Sequence, residues 1–112
     1  KMMIYRHTSE ERKSSSLAHM QMAITNFRYT EITYQAPEKE VTVRKIEPLA
    51  IYSFDERWIV IGWCHLRNDY RAFRLDRIQH FRILHDQFED RQFDLSAYFK
   101  MCEEAEYTPD IN

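Results

Sequence analysis

Leu17, Met20, Ile24 and Phe27 recur at helical spacing, with Ser16 available as an N-cap, which predicts a short amphipathic helix over residues 17–26. At Arg28 the period changes to two. Thr30, Ile32 and Tyr34 alternate with Glu31 and Thr33, the pattern of a strand. Pro37 and the charged run after it make a turn, and Val41 and Val43 restart the alternation. Pro48 interrupts it, so this second strand is bent there or lies at a sheet edge. Leu49, Ile51 and Phe54 carry it on to a turn at Asp55-Glu56. Trp58 to Cys64 is apolar on both faces, which predicts a strand buried from two sides, by the barrel interior on one and by a helix or ligand on the other. Gly62, the only glycine, stands inside that strand and marks a bend, a bulge or the close approach of another group. Asn68-Asp69 is a hairpin turn, residues 70–75 a fourth strand and Gln79–Leu84 a fifth. Asp94 is placed to cap a last helix with Leu95, Tyr98, Phe99 and Cys102 on one face.

The predicted order is helix, five short antiparallel strands, helix: a mainly β, α+β chain. Short successive strands with tight turns favour a small closed barrel, because closure removes exposed edges. With 112 residues there is room for one domain. Residues 1–16 read as a flexible arm or linker, 17–100 as the folded domain and 101–112 as an acidic tail. The charged start and abrupt end suggest a fragment of a longer chain.

Net charge is −2, so the chain as a whole is no electrostatic nucleic-acid binder. Its distribution is uneven. Residues 65–85 hold five arginines and two aspartates, whereas residues 86–112 hold two basic and eight acidic residues. A basic middle beside an acidic tail permits a local anion site that the tail could shield. Cys64 and Cys102 form neither a disulfide framework nor a paired metal signature, which fits a reducing, cytoplasmic setting. No apolar run reaches the length of a membrane span, and no signal-peptide pattern opens the chain.

The stretch Arg71 to Ile78, RAFRLDRI, concentrates three arginines. On an ideal strand Arg71, Phe73, Leu75 and Arg77 would share one face, setting two charges among core residues. The conflict is relieved if the strand ends near Leu75 and Asp76-Arg77-Ile78 turns over as a single 3₁₀ turn. Asp76 would then cap that turn or pair with an arginine, Arg71 would sit at the barrel rim and Arg74 on the outer face. Three neighbouring guanidiniums repel unless carboxylates or an anion intervene, and the arginine fork suits phosphate. Against this stands a structural reading, in which Arg74 pairs with Glu31 or Glu47 and Arg77 with Asp76 or backbone carbonyls.

Residues 47–81, EPLAIYSFDERWIVIGWCHLRNDYRAFRLDRIQHF, resemble the heart of a WYL domain. The Trp-Tyr-Leu position reads Trp58-Ile59-Val60, keeping only the tryptophan, and the Arg-x-Phe-Arg-Leu-Asp-Arg-Ile run matches in full. Glu47-Pro48, the helix leading into ITYQ and the FDLSAYF of Phe93–Phe99 fit as well. The resemblance covers roughly residues 17–100. It implies a five-stranded Sm-like, SH3-like barrel, the sensor module that stands behind a winged helix-turn-helix in bacterial transcriptional regulators. The ligand it implies is single-stranded nucleic acid or a nucleotide-like molecule. The helix-turn-helix itself is expected on an attached or associated domain.

The candidate ligand-binding residues are Arg71, Arg74 and Arg77, with Trp58, Tyr34 and His65 beside them. Trp58 and Trp63, five apart, fall on opposite faces, so one can be core and the other must be covered. An aromatic face beside arginines suits base stacking with phosphate neutralisation, although core or interface packing is the more ordinary role of an isolated tryptophan. Tyr34 is either a donor at the site or a core ring with a wet tip. His65, His80 and His85 match no standard metal spacing, and Cys64 and His65 point to opposite faces. One glycine cannot build a phosphate loop, and the paired carboxylates lie in turns or on a solvated helix. No enzyme, metal site or cofactor is expected. Two readings remain: a ligand-sensing regulatory domain, and a dimerisation or protein-docking module whose arginines are structural.

Overall fold

A computed structural model describes residues 9–105 and residue 111; for residues 9–14 it gives the backbone path only. The elements are α1 (Ser9–Thr25), β1 (Arg28–Tyr34), β2 (Thr42–Phe54), β3 (Arg57–Cys64), β4 (Asp69–Arg74), a 3₁₀ turn (Leu75–Arg77), β5 (Ile78–Gln87) and α2 (Leu95–Glu104). The strands form one antiparallel sheet in the order β4-β3-β2-β1-β5. Among the described residues no ladder joins β4 to β5. The ring is instead closed by the 3₁₀ turn, whose Arg77 carbonyl accepts the N–H of Gln35 at the end of β1.

Two corrections concern the helices. The first begins at Ser9, two turns before the expected Ser16 cap, so residues 9–16 are helix and not a flexible arm. Glu10, Glu11, Arg12 and Lys13 carry no apolar period but have high helix propensity, which extends a helix already anchored further on. The rest of the expected arm, residues 1–8, lies outside the described residues. At the other end α2 runs on to Glu104, into the expected acidic tail. As expected, the Asp94 carboxylate caps it by accepting the N–H of Ser96 at 3.0 Å.

The alternation in β1 holds: Thr30, Ile32 and Tyr34 are buried. In β2 the buried parity is the even one, Arg44 and Ile46, and Val41 and Val43 are exposed. A register shift between Pro48 and Ala50 supplies the expected bend. Gly62 pairs with Pro48 there, and a Cβ on it would lie 3.1 Å from the Glu47 carbonyl oxygen, so the close approach read from its position is real. Ile59, Val60 and Ile61 are all buried. Val60 packs with Met20 of α1 and with Leu75, while Ile59 and Ile61 pack with Leu95 and Tyr98 of α2. A third cluster fills the interior: Ile32, Tyr34, Ile46, Cys64 and Phe73.

Among the described residues no helix is long and apolar enough to cross a membrane, and no group of three His, Cys, Asp or Glu side chains could hold a metal.

Candidate functional site

The strand break in RAFRLDRI builds a pocket. Leu75 turns inward onto Met20 and Val60, which lets β4 end at Arg74 and throws Asp76 and Arg77 outward. Arg74 lies opposite Ile59 on β3, so Arg57, two residues earlier on the same face, comes alongside. Asp55 and Glu56 both have positive φ, 52° and 60°, the geometry of a tight two-residue hairpin that folds Phe54 back over Arg57. The result is a cavity of about 260 Å³ lined by Phe54, Asp55, Arg57, Ile59, Arg74, Arg77 and Ile111. Ile111 reaches it by pairing with Ala72 at the outer edge of β4.

Asp76 organises the charge. Its carboxylate accepts Arg74 Nε at 2.9 Å and Nη2 at 2.5 Å, and Arg57 Nε stands 3.9 Å away. The Arg74 hydrogen bonds hold the Asp76 carboxyl below the usual carboxylate range. Arg74 thus finds its carboxylate two residues away, not on Glu31 or Glu47. With Asp55, the three guanidiniums face two carboxylates, leaving one positive charge in excess. Beneath them Tyr34 is 1% exposed, and its hydroxyl accepts the Arg74 backbone N–H at 3.0 Å. Burial pushes that hydroxyl's pKa up, against opposing hydrogen bonds from the Arg74 backbone and the Arg77 side chain. Tyr34 therefore positions the two arginines and does not line the pocket.

The other expected residues lie apart. Trp58 is on the same hairpin but on the opposite face of β3 from Arg57, and is 39% exposed. Neither tryptophan is core: Trp63 is half-buried, with the Arg91 guanidinium 4.2 Å from its ring centroid. Arg71 shares the interior face of β4 with Phe73, away from Arg74 and the pocket. His65 belongs to a network at the far end of β3. Glu47, 4% exposed, accepts Arg91 Nε on Oε1 at 2.7 Å and Nη2 on Oε2 at 3.1 Å, and His65 Nε2 lies 2.9 Å from the same Oε2. Burial would raise the Glu47 pKa, but Arg91 and His65 outweigh it and hold the carboxyl below its ordinary value.

Of the six residues singled out from sequence, the structure gathers Arg74 and Arg77 with Tyr34 behind them. It adds Arg57 and Phe54, whose only sequence signal was the Asp55-Glu56 turn between them. Apart from the pocket, no sequence signal marked Arg44, which is 7% exposed although it stands in a charged strand segment.

Comparison with known proteins agrees with the fold. The family model described as the WYL domain matches residues 15–83. The chain is 31% identical over 80 residues to an uncharacterized HTH-type transcriptional regulator, YobV, of Bacillus subtilis (strain 168). That alignment takes in 70% of this chain and 26% of the relative, so the chain spans about a quarter of the regulator it matches. Among solved structures it is similar to proteasome accessory factor B/C (PafBC) of Arthrobacter aurescens, with a TM-score of 0.66 and 26% identity over 78% of this chain and 14% of that one. A strand–turn–3₁₀ unit spelled RAFRLDRI on a five-stranded sheet, within a stretch matched over more than half the chain, identifies the protein as a member of the WYL-domain family.

Proposed function

We propose that this chain is the ligand-sensing domain of a bacterial, cytoplasmic transcriptional regulator, and that its ligand is a nucleic-acid or nucleotide-like anion. The observation that carries this is the pocket where Arg57, Arg74 and Arg77 meet the 60%-exposed ring of Phe54. Guanidinium forks take phosphate oxygens, and a solvent-facing aromatic ring takes a base by stacking. Trp58, on the other face of the same hairpin, offers a neighbouring ring just outside the pocket. Binding here would act on an attached helix-turn-helix domain by favouring one docking arrangement over another, which requires different affinities for the two states. The function is binding, without catalysis.

The test is fluorescence anisotropy with short single-stranded oligonucleotides at several salt concentrations. Affinity should fall with salt, log K against log salt sloping about −0.7 for each phosphate neutralised on a single strand. Arg77→Ala should weaken binding and flatten that slope by about one contact. Absence of binding at low salt to single-stranded DNA, RNA and cyclic nucleotides would refute the reading.

A second reading, a dimerisation or docking module, is favoured by Val43 and Leu66, 60% and 55% exposed at the end of the barrel away from the hairpin. Its signature is a stable dimer indifferent to nucleic acid.

A further inference from the structure

Arg44 is a cation buried without a carboxylate. It is 7% exposed, and among the described residues it forms no ion pair. Its Nε donates to Thr42 Oγ1 at 3.0 Å, its Nη1 lies 3.9 Å from the Cys64 sulfur, and its Cζ stands 5.5 Å from the Phe73 ring centroid. A guanidinium has five N–H groups, so most of its donor capacity is left over. Arg71 approaches the same apolar wall from β4. It is half-buried and lies on the Phe73 face, directly across from Gly62. The Arg71 Nε is buried with no hydrogen-bond partner among the described residues. The nearest acid along β4, Asp69, is exposed, accepts the N–H of Tyr70, and makes no ion pair with Arg71.

A buried guanidinium and a half-buried one on the same face as one ring, with donors unspent and no acid paired to either among the described residues, are unfavourable on stability grounds alone. Apolar residues of similar volume would fill the space at lower cost. What offsets such an arrangement is an anion whose oxygens take the free N–H groups. We infer that Arg44 and Arg71 form a second anion site, on the opposite face of β4 from the Arg57–Arg74–Arg77 pocket, that binds a phosphate group. The phosphate is either inorganic or the terminal group of a phosphomonoester. Phe73 and Cys64 give the site a water-poor wall, which strengthens a charge-assisted hydrogen bond relative to one in open solvent. The site does not rest on the oligonucleotide reading, and either can fail without the other.

The test is a titration of the full chain with sodium phosphate against sodium chloride at fixed ionic strength, read on the arginine Nε–Hε signals in ¹⁵N–¹H spectra. The Arg44 and Arg71 signals should move saturably while that of Arg77 stays in place. Arg71→Met should abolish the response, Arg71→Lys should weaken it at least about tenfold by keeping the charge and losing the fork, and Arg77→Ala should leave it intact. Because Arg44→Met removes a buried charge and Arg71→Met a half-buried one, neither paired with a carboxylate among the described residues, both should fold and melt no lower than the parent in phosphate-free buffer. Titration with adenosine monophosphate against adenosine separates the two sources. A response to the nucleotide alone assigns the site to a monoester, and an equal response to inorganic phosphate assigns it to the free ion. Signals that follow ionic strength only, an equal response to acetate, or saturable binding that survives both methionine substitutions would overturn the inference.

Discussion

Removing Arg91 should leave a buried carboxylate half-stranded. Glu47 is 4% exposed and holds Arg91 through two hydrogen bonds of 2.7 and 3.1 Å, and Arg91 in turn covers Trp63. Breaking a buried pair from one side costs about 3–5 kcal/mol. Two features lower that figure here. His65 keeps its contact at 2.9 Å, and the Arg91 side chain is itself 34% exposed, so water screens part of the attraction. The lost cation–π contact adds back roughly 0.5 kcal/mol. Arg91→Ala should therefore destabilise the fold by about 2 kcal/mol at neutral pH, a fall in Tm of about 8 °C for a chain of this size. The folded-state pKa of Glu47 is depressed below its ordinary value of 4.5. Its stabilising contribution is thus fully present above that value and is lost as pH falls through the folded pKa. The deficit of Arg91→Ala relative to the parent should accordingly shrink as pH drops below about 4.5. Adding Glu47→Gln to Arg91→Ala should recover stability, because the stranded charge is then gone. Urea unfolding from neutral to acid pH measures all three quantities. A deficit under about 0.5 kcal/mol at neutral pH, typical of an exposed pair, or one that does not change with pH, would refute the argument.

Two further outcomes test the pocket. Asp76→Asn removes the carboxylate that occupies Arg74, so oligonucleotide affinity at low salt should rise several-fold, measured by anisotropy; an unchanged affinity would mean that Arg74 does not reach the ligand. Glu56 holds a φ of 60°, which costs a residue with a side chain about 1 kcal/mol, so Glu56→Gly should raise stability by about that much in urea unfolding.

The period-two pattern located β1 and β2 because each has one face against a core, and the run apolar on both faces located β3 because helices or core cover it from two sides. The conflict among Arg71, Phe73, Leu75 and Arg77 even foretold the 3₁₀ turn, since an unbroken strand burying Phe73 and Leu75 would carry Arg77 inward and Ile78 outward. The first two turns of α1 left no trace because helix-forming polar residues carry no period. Val41 and Val43 misled because an apolar residue near a strand's start is not obliged to face inward; the ladder with β1 puts Arg44 opposite Ile32 and decides the parity. The pocket was half legible. Arg74 and Arg77 stand in a recognisable run, but Arg57 joins them only through the curl of β3 against the turn, which depends on residues 17 to 20 positions away in sequence. Arg91 was invisible for the same reason: its partner, Glu47, is 44 residues earlier.

The pairing of Ile111 with Ala72 bears on more than the pocket it lines. β4 is the last strand on its side of the sheet, and an uncovered edge strand is a template on which another chain can add. Among the described residues Ile111 thus covers the edge while standing at the threshold of the arginines. A ligand large enough to displace Ile111 would uncover that edge in the same movement, so occupancy and assembly state would be read by a single side chain.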